Sequence, residues 1–179
     1  KNSVSDHACS RNIVVSMRAM TPLYRIKEIV EARNRSDSEF RHILHLIYPF
    51  YESEYLSGVS DILCADDKNL GRVTREQMYQ IFFRSLLVIS IPSSDSSPRS
   101  VYEAIFCGAV VAVTYHPYID TLPECMKKRI ILVNLHEDDW FSKAIGKAKA
   151  ISQVPFCPSD DALKTFDQLQ SFQILKSLY

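Results

Sequence analysis

Glycine is scarce in this chain, with four in 179 residues, so the sequence is without a Gly-rich turn. It also lacks a Gly-x-Ser-x-Gly elbow, which sets aside a hydrolase built on that seryl nucleophile. No apolar run reaches the roughly 18 residues that span a bilayer, and no signal peptide is visible. Neither sign of charge dominates: Lys+Arg and Asp+Glu both total 21, so no basic field exists for nucleic acid or an acidic membrane. The five cysteines (Cys9, Cys64, Cys107, Cys125 and Cys157) are odd in number and contain no CxxC pair. Three of them lie in apolar contexts, so buried, reduced thiols are expected rather than disulfides or zinc ligands. Internal repeats, low-complexity segments and metal-ligand clusters are absent as well. Together these absences leave a cytoplasmic or cytosolic-facing fragment as the expectation.

What is present reads as strand–helix alternation in a chain of one-domain size, with 46% hydrophobic residues. Residues 12–17 (NIVVSM) are a first strand. Thr21 and Pro22 then supply an N-cap and first-turn proline for a helix to about Arg33, striped by Leu23, Ile26, Ile29 and Val30. Residues 41–48 form a second strand and 51–59 a short helix. His42 and His45, three apart on that strand, point to opposite faces and cannot share a metal. Residues 61–65 (DILCA) are a third strand, and 66–72 a polar loop placed to meet a nucleobase through its backbone. Thr74 and Gln77 form a capping box for a helix to about Arg84, with Met78, Ile81 and Phe82 inward. Beyond the centre come a strand at 129–134 and a helix at 138–153 with Trp140, Phe141, Ile145, Ala148 and Ile151 at core spacing. After Pro155 and Pro158, a last amphipathic helix is capped by Ser159 or Asp160. Residues 1–10, without an initiating Met, read as a linker, 11–154 as the domain and 155–179 as a helix packing on or beyond it. An excised lobe of something longer is the expectation.

The centre is residues 86–114, LLVISIPSSDSSPRSVYEAIFCGAVVAVT. A buried strand (86–91), a polar loop (92–98), a short helix (99–107), Gly108 and a second buried strand (109–114) make one right-handed βαβ unit. The fold class is therefore α/β, a doubly wound parallel sheet with helices on both faces. Gly108 suits the left-handed position just past a helix. The loop lies where open α/β sheets bind anions, at a strand's carboxyl end and a helix's unpaired amides. Asp95, Arg99 and Glu103, with Ser93, Ser94, Ser96, Ser97 and Ser100 around them, are placed to converge on one polar ligand. A Glu103–Arg99 surface pair beside an N-capping serine stands as the alternative.

The stretch PSSDSSPRSVYEAIFCGAVVAVT resembles the nucleotide-sugar site of GT-B glycosyltransferases. There a strand ends in Pro-Ser, and an acidic residue, seven others and Glu-Ala lead into a short helix, Gly and a strand. Asp95 stands for the first acidic residue, Glu103 for the second, and SSPRSVY replaces a Gly-rich middle. The wording through Leu122-Pro123-Glu124 is also similar to exostosin-like glycosyltransferases, which carry an Arg in that place. The resemblance covers roughly residues 12 to 150. It implies one Rossmann-like GT-B lobe that binds a nucleoside diphosphate sugar as donor substrate, with no cofactor and no metal; no DxD motif occurs. A missing N-terminal lobe of the same protein would hold the acceptor. It further implies that Arg18 binds the diphosphate, usually with a Lys five residues later; here that position is Leu23, and Arg99 is left to supply the charge. Asp95 would orient sugar hydroxyls and Glu103 the ribose diol. Asp95 and Arg99 are thus the candidate catalytic residues, and Arg18, Ser96, Ser97 and Glu103 the candidate nucleotide-sugar contacts. His116, Asp120 and Glu124, in the loop after the second central strand, are further sugar-facing candidates beside a purely structural reading of that turn. The competing function is a degenerate nucleotide-sugar-binding or protein-interaction module.

Overall fold

The computed structural model describes residues 11–166. Six strands form one all-parallel sheet: β1 (Ile13–Ser16), β2 (Leu44–Ile47), β3 (Lys68–Gly71), β4 (Ser85–Ser90), β5 (Val110–Val113) and β6 (Ile130–Leu132). Their order is β3-β2-β1-β4-β5-β6, with every neighbouring pair parallel. The order reverses between β1 and β4, so loops leaving their carboxyl ends diverge and open a crevice there.

The central strand β4 is buried at all six positions, as a strand covered on both faces must be. Alternate residues feed two cores. Val14, Leu87, Ile89, Val110 and Ala112 pack with helices α1 (Ile26–Arg35), α2 (Ser53–Ser60) and α6 (Trp140–Ser152). Val15, Val88, Val111 and Val113 pack on the other face with α3 (Arg75–Arg84), α4 (Arg99–Phe106), the short α5 (Glu124–Lys127) and α7 (Asp160–Phe166). Just before α7, Ser159 Oγ accepts from the Ala162 amide, and at its end the Phe166 ring lies 4.7 Å from that of Tyr102. The expected linker at 1–10 and the remainder of the C-terminal helix, 167–179, lie outside the described residues.

Several local expectations are corrected. Residues 61–65 form turns, not a strand, because Asp67 draws the segment inward: its carboxylate accepts from the Cys64 and Leu44 amides at 2.8 and 3.0 Å and pairs with Arg33. The edge strand is instead Lys68–Gly71, inside the stretch read as a polar loop, and it is exposed along its first three residues. The helix expected from Pro22 is divided into a 3₁₀ turn (Pro22–Tyr24) and α1, with Arg25 between them at φ 54°. Leu23 consequently leaves the apolar stripe and is 43% exposed, while Ile26, Ile29 and Val30 are buried. β2 starts at Leu44 because the Arg41 and His42 amides are held in turns by the Ser38 and Phe40 carbonyls. His42 therefore stands outside the strand. Of the described cysteines, all free, Cys107 alone is buried, Cys64 and Cys125 are half-buried and Cys157 is exposed. Gly108 does adopt the left-handed form, at φ 79°, and a Cβ there would lie 2.7 Å from the Arg11 guanidinium.

Candidate functional site

The loops at the sheet's carboxyl edge are tied to one another before any ligand arrives. Met20 after β1 exchanges backbone hydrogen bonds with Phe50 and Glu52 after β2, each 3.0 Å. The Ser93 amide, after β4, donates to the Leu23 carbonyl at 2.9 Å, closing the crevice between β1 and β4 from one side. Near the edge strand, the Tyr48 hydroxyl donates to Asn69 at 2.8 Å.

Within this frame Arg18 and Asp95 meet across the reversal point. Arg18 Nη2 donates to Asp95 Oδ2 at 2.5 Å, Nη1 donates to the Ser100 hydroxyl at 3.3 Å, and the guanidinium lies 4.7 Å from the Tyr24 ring centroid. Each residue lies in the loop that leaves a buried strand, β1 or β4, which is why two residues 77 positions apart share a site. A cavity of about 390 Å³ lies beside them, lined by Arg18, Tyr24, Tyr48, Arg72, Thr74 and Ser100.

Glu103 sits one face away, on α4, and its partners come from α3. The Thr74–Gln77 capping box forms as expected, with the Gln77 amide donating to Thr74 Oγ1 at 3.2 Å and the Thr74 amide to Gln77 Oε1 at 2.9 Å. That fixes the start of α3 and brings Arg75 and Tyr79, one turn apart on a single face, over Glu103. Arg75 Nη2 and the Tyr79 hydroxyl both donate to Glu103 Oε1, the latter at 3.1 Å. A groove of about 950 Å³ is lined by Ser97 and by residues of α3, α4 and α7, among them Arg99, Glu103, Phe106 and Phe166. Arg75 lines both cavities, so they meet there.

The expected single convergence of Asp95, Arg99 and Glu103 therefore divides in two. Each carboxylate takes a different arginine, and neither takes Arg99; the Glu103–Arg99 pair does not form. Arg99 and Arg72 have no ion-pair partner among the described residues. Ser96 and Ser97 are exposed on the loop. No serine caps α4: its N-cap is Pro98, without a side-chain hydrogen bond, so the first amides face the loop. Arg72, just past β3, lines the cavity wall. Arg75 and Tyr79 were not among the sequence candidates. The capping box located Arg75 at a helix start, but no pattern in α3 says which helix it meets.

Charge and burial set the remaining groups. Burial pushes the Tyr118 phenol up, helped by the nearby Asp95 charge, so it stays protonated beside the pair. Burial, then Glu103, raises the Cys107 thiol to about 11, which keeps it a thiol at neutral pH rather than a nucleophile. His116 is occupied locally: its Nε2 lies 3.2 Å from Thr114 Oγ1 and 3.3 Å from the Pro92 carbonyl, and its ring stacks on Tyr118. Asp120 accepts from the Tyr115 hydroxyl at 2.5 Å, and Glu124 pairs with Lys127. Thus all three of these candidates have partners within the protein. Among the described residues no group of three or more His, Cys, Asp or Glu is placed to hold a metal ion, and no helix is long and apolar enough to cross a membrane.

Solved structures share this architecture. HepE from Anabaena, solved with UDP and glucose, superposes with a TM-score of 0.72 at 16% identity, over 94% of this chain and 48% of that one. AviGT4, a glycosyltransferase involved in avilamycin A biosynthesis, gives 0.64 at 13% identity, over 99% of this chain and 55% of that one. This chain has the fold of a GT-B glycosyltransferase lobe. A third neighbour is the catalytic domain of the Helicobacter pylori cholesterol-α-glucosyltransferase, at a TM-score of 0.56 and 13% identity, over 79% of this chain and 93% of that one. The chain spans about half the length of AviGT4 and HepE. No protein-family model and no curated protein matches the sequence.

Proposed function

We propose that this lobe binds a nucleoside diphosphate sugar and that, joined to a second lobe holding the acceptor, it works as a glycosyltransferase. The observation that carries the reading is the meeting of Arg18 and Asp95 at the reversal point of a GT-B lobe. Fold alone does not carry function, so the charge pattern matters. Two of the arginines are neutralised by carboxylates while Arg72 and Arg99 keep their charge, a balance suited to a diphosphate. HepE was solved with UDP and with UDP-glucose, which makes UDP the first probe.

In transfer the bond between the anomeric carbon and the diphosphate oxygen breaks, and a bond to the acceptor oxygen forms. Charge develops on the leaving diphosphate as the sugar gains oxocarbenium character. Arg99 and the free amides at the start of α4 stabilise that charge, with Ser96 and Ser97 donating to phosphate oxygens. Asp95, held by Arg18, accepts from sugar hydroxyls, and Glu103 accepts from the ribose. These groups supply the positive charge without a divalent ion.

Titration of UDP, GDP and ADP into the 179-residue chain without metal, followed by calorimetry or ligand-observed NMR, tests the reading. Weak binding of at least UDP, with no transfer by the chain alone, is expected, because attack geometry across two lobes is worth as much as about 7–11 kcal/mol. Silence with all three at millimolar concentration would overturn it in favour of a degenerate module.

A further inference from the structure

We propose that Arg75 and Tyr79 are positioning residues for Glu103, occupying one carboxylate oxygen so that the other is presented to the ribose hydroxyls; this rests on the nucleotide reading above. Arg75 Nη2 and the Tyr79 hydroxyl both donate to Oε1, and Arg75 Nε donates back to the Tyr79 oxygen at 2.7 Å. The three groups thus close a ring of hydrogen bonds. An ionised carboxylate oxygen offers two lone-pair positions, so Oε1 is filled. Oε2 accepts from no described residue. A ligand hydroxyl arriving at Glu103 must therefore use Oε2, and the ribose is placed laterally by two side chains it does not touch.

The arrangement is poorly suited to holding the fold together. The Arg75 side chain is 59% exposed, and exposed ion pairs add little stability. Its local supports, by contrast, are firm: the capping box fixes the first turn of α3, and the Arg75 guanidinium lies 5.8 Å from the Tyr79 ring centroid. Burial, then the Glu103 carboxylate, raises the Tyr79 phenol, so it remains a donor at neutral pH. Arg75 also cancels the Glu103 charge, which lets a carboxylate stand near a diphosphate without repelling it.

The test compares UDP with 2′,3′-dideoxyuridine diphosphate by calorimetry on the full chain, in wild type, Arg75→Gln and Tyr79→Phe. Wild type should prefer UDP by about tenfold, the size of one or two hydrogen bonds to a charged acceptor. In both variants the preference should fall by about threefold or more; in Tyr79→Phe, which changes no charge, UDP should weaken while the dideoxy nucleotide stays level, and in Arg75→Gln both should weaken through the uncovered Glu103 charge, UDP by more. A structural role would weaken both nucleotides alike, and thermal denaturation identifies a variant that has lost its fold; Tyr79→Phe, which keeps the ring, is the safer of the two. Wild-type preference retained in both variants overturns the positioning role and leaves the nucleotide site standing. Wild type that binds both nucleotides equally removes Glu103 from the ribose and overturns the proposal. Wild type that binds neither overturns it together with the nucleotide reading.

Discussion

Asp95→Asn keeps the shape of the side chain and removes its charge, and its effects on stability and on binding have opposite signs. The Arg18 and Asp95 side chains are 13% and 11% exposed. The pair is thus neither a solvated contact, worth under about 1 kcal/mol, nor a fully buried one, whose breaking costs about 3–5 kcal/mol. A loss of about 1–3 kcal/mol in unfolding free energy is expected, or about 2–4 °C in Tm per kcal/mol for a chain of this size. Binding should move the other way. A phosphate charge about 5 Å from Asp95 is repelled by about 3 kcal/mol at an effective dielectric constant of about 20. Salt and solvent reduce that to about 1–2 kcal/mol, so UDP should bind Asp95→Asn about 5- to 30-fold more tightly. UDP-glucose should gain less, since its sugar loses an acceptor, and in a longer active protein turnover should fall. Arg18→Ala should weaken both ligands. Calorimetry with the two ligands, alongside thermal denaturation of each variant, measures all of this. Equal weakening of both ligands by Asp95→Asn, or unchanged UDP affinity in Arg18→Ala, would place the pair outside the phosphate site.

Asp67→Ala should cost about 3–5 kcal/mol in urea denaturation, because it strips a fully buried Arg33 of its partner and leaves the Leu44 and Cys64 amides unsatisfied; a loss below 1 kcal/mol would contradict the inward turn described above. His42 and His45 are both held below their ordinary value of 6.5, chiefly by burial. The unfolded chain therefore binds these protons more readily, so their contribution is full above pH 6.5 and is lost as pH falls through the lowered folded values. Replacing both with Gln should flatten the fall of Tm between about pH 7 and pH 5, and an unchanged acid limb would refute the assignment.

Much of the architecture was legible because burial on both faces writes itself as β-branched runs. Residues 86–91 and 109–114 announced β4 and β5 within a residue or two, and the capping box at Thr74 and Gln77 announced α3. Where the reading failed, the competing signal was polar. The edge strand Lys68–Gly71 pairs on one side only and has no apolar period, whereas DILCA has the residues of a strand but yields its Cys64 amide to Asp67 and its Asp61, Ile62 and Leu63 amides to carbonyls of α2. Arg25 shows a subtler limit. Thr21 and Pro22 are sound helix-start residues, yet the chain spends them on one 3₁₀ turn because the loop after β1 must stay against Phe50 and Ser93 before α1 can begin.

For the candidate site, what could be read was where each residue leaves a strand, and what could not was which residue it would face. Arg18 and Asp95 follow β1 and β4, and only the strand order makes those neighbours; the same loops in another order would lie far apart. Arg99 and Glu103 are one helical turn apart, the spacing of a surface pair, but α3 presents Arg75 from 28 residues upstream and takes the carboxylate first. A local spacing rule therefore offered Glu103 a partner that the packing of α3 replaces with Arg75. Arg99 is thereby left without an ion-pair partner among the described residues, and this exchange, legible only once α3 and α4 are packed, is what the proposed diphosphate site at the start of α4 rests on.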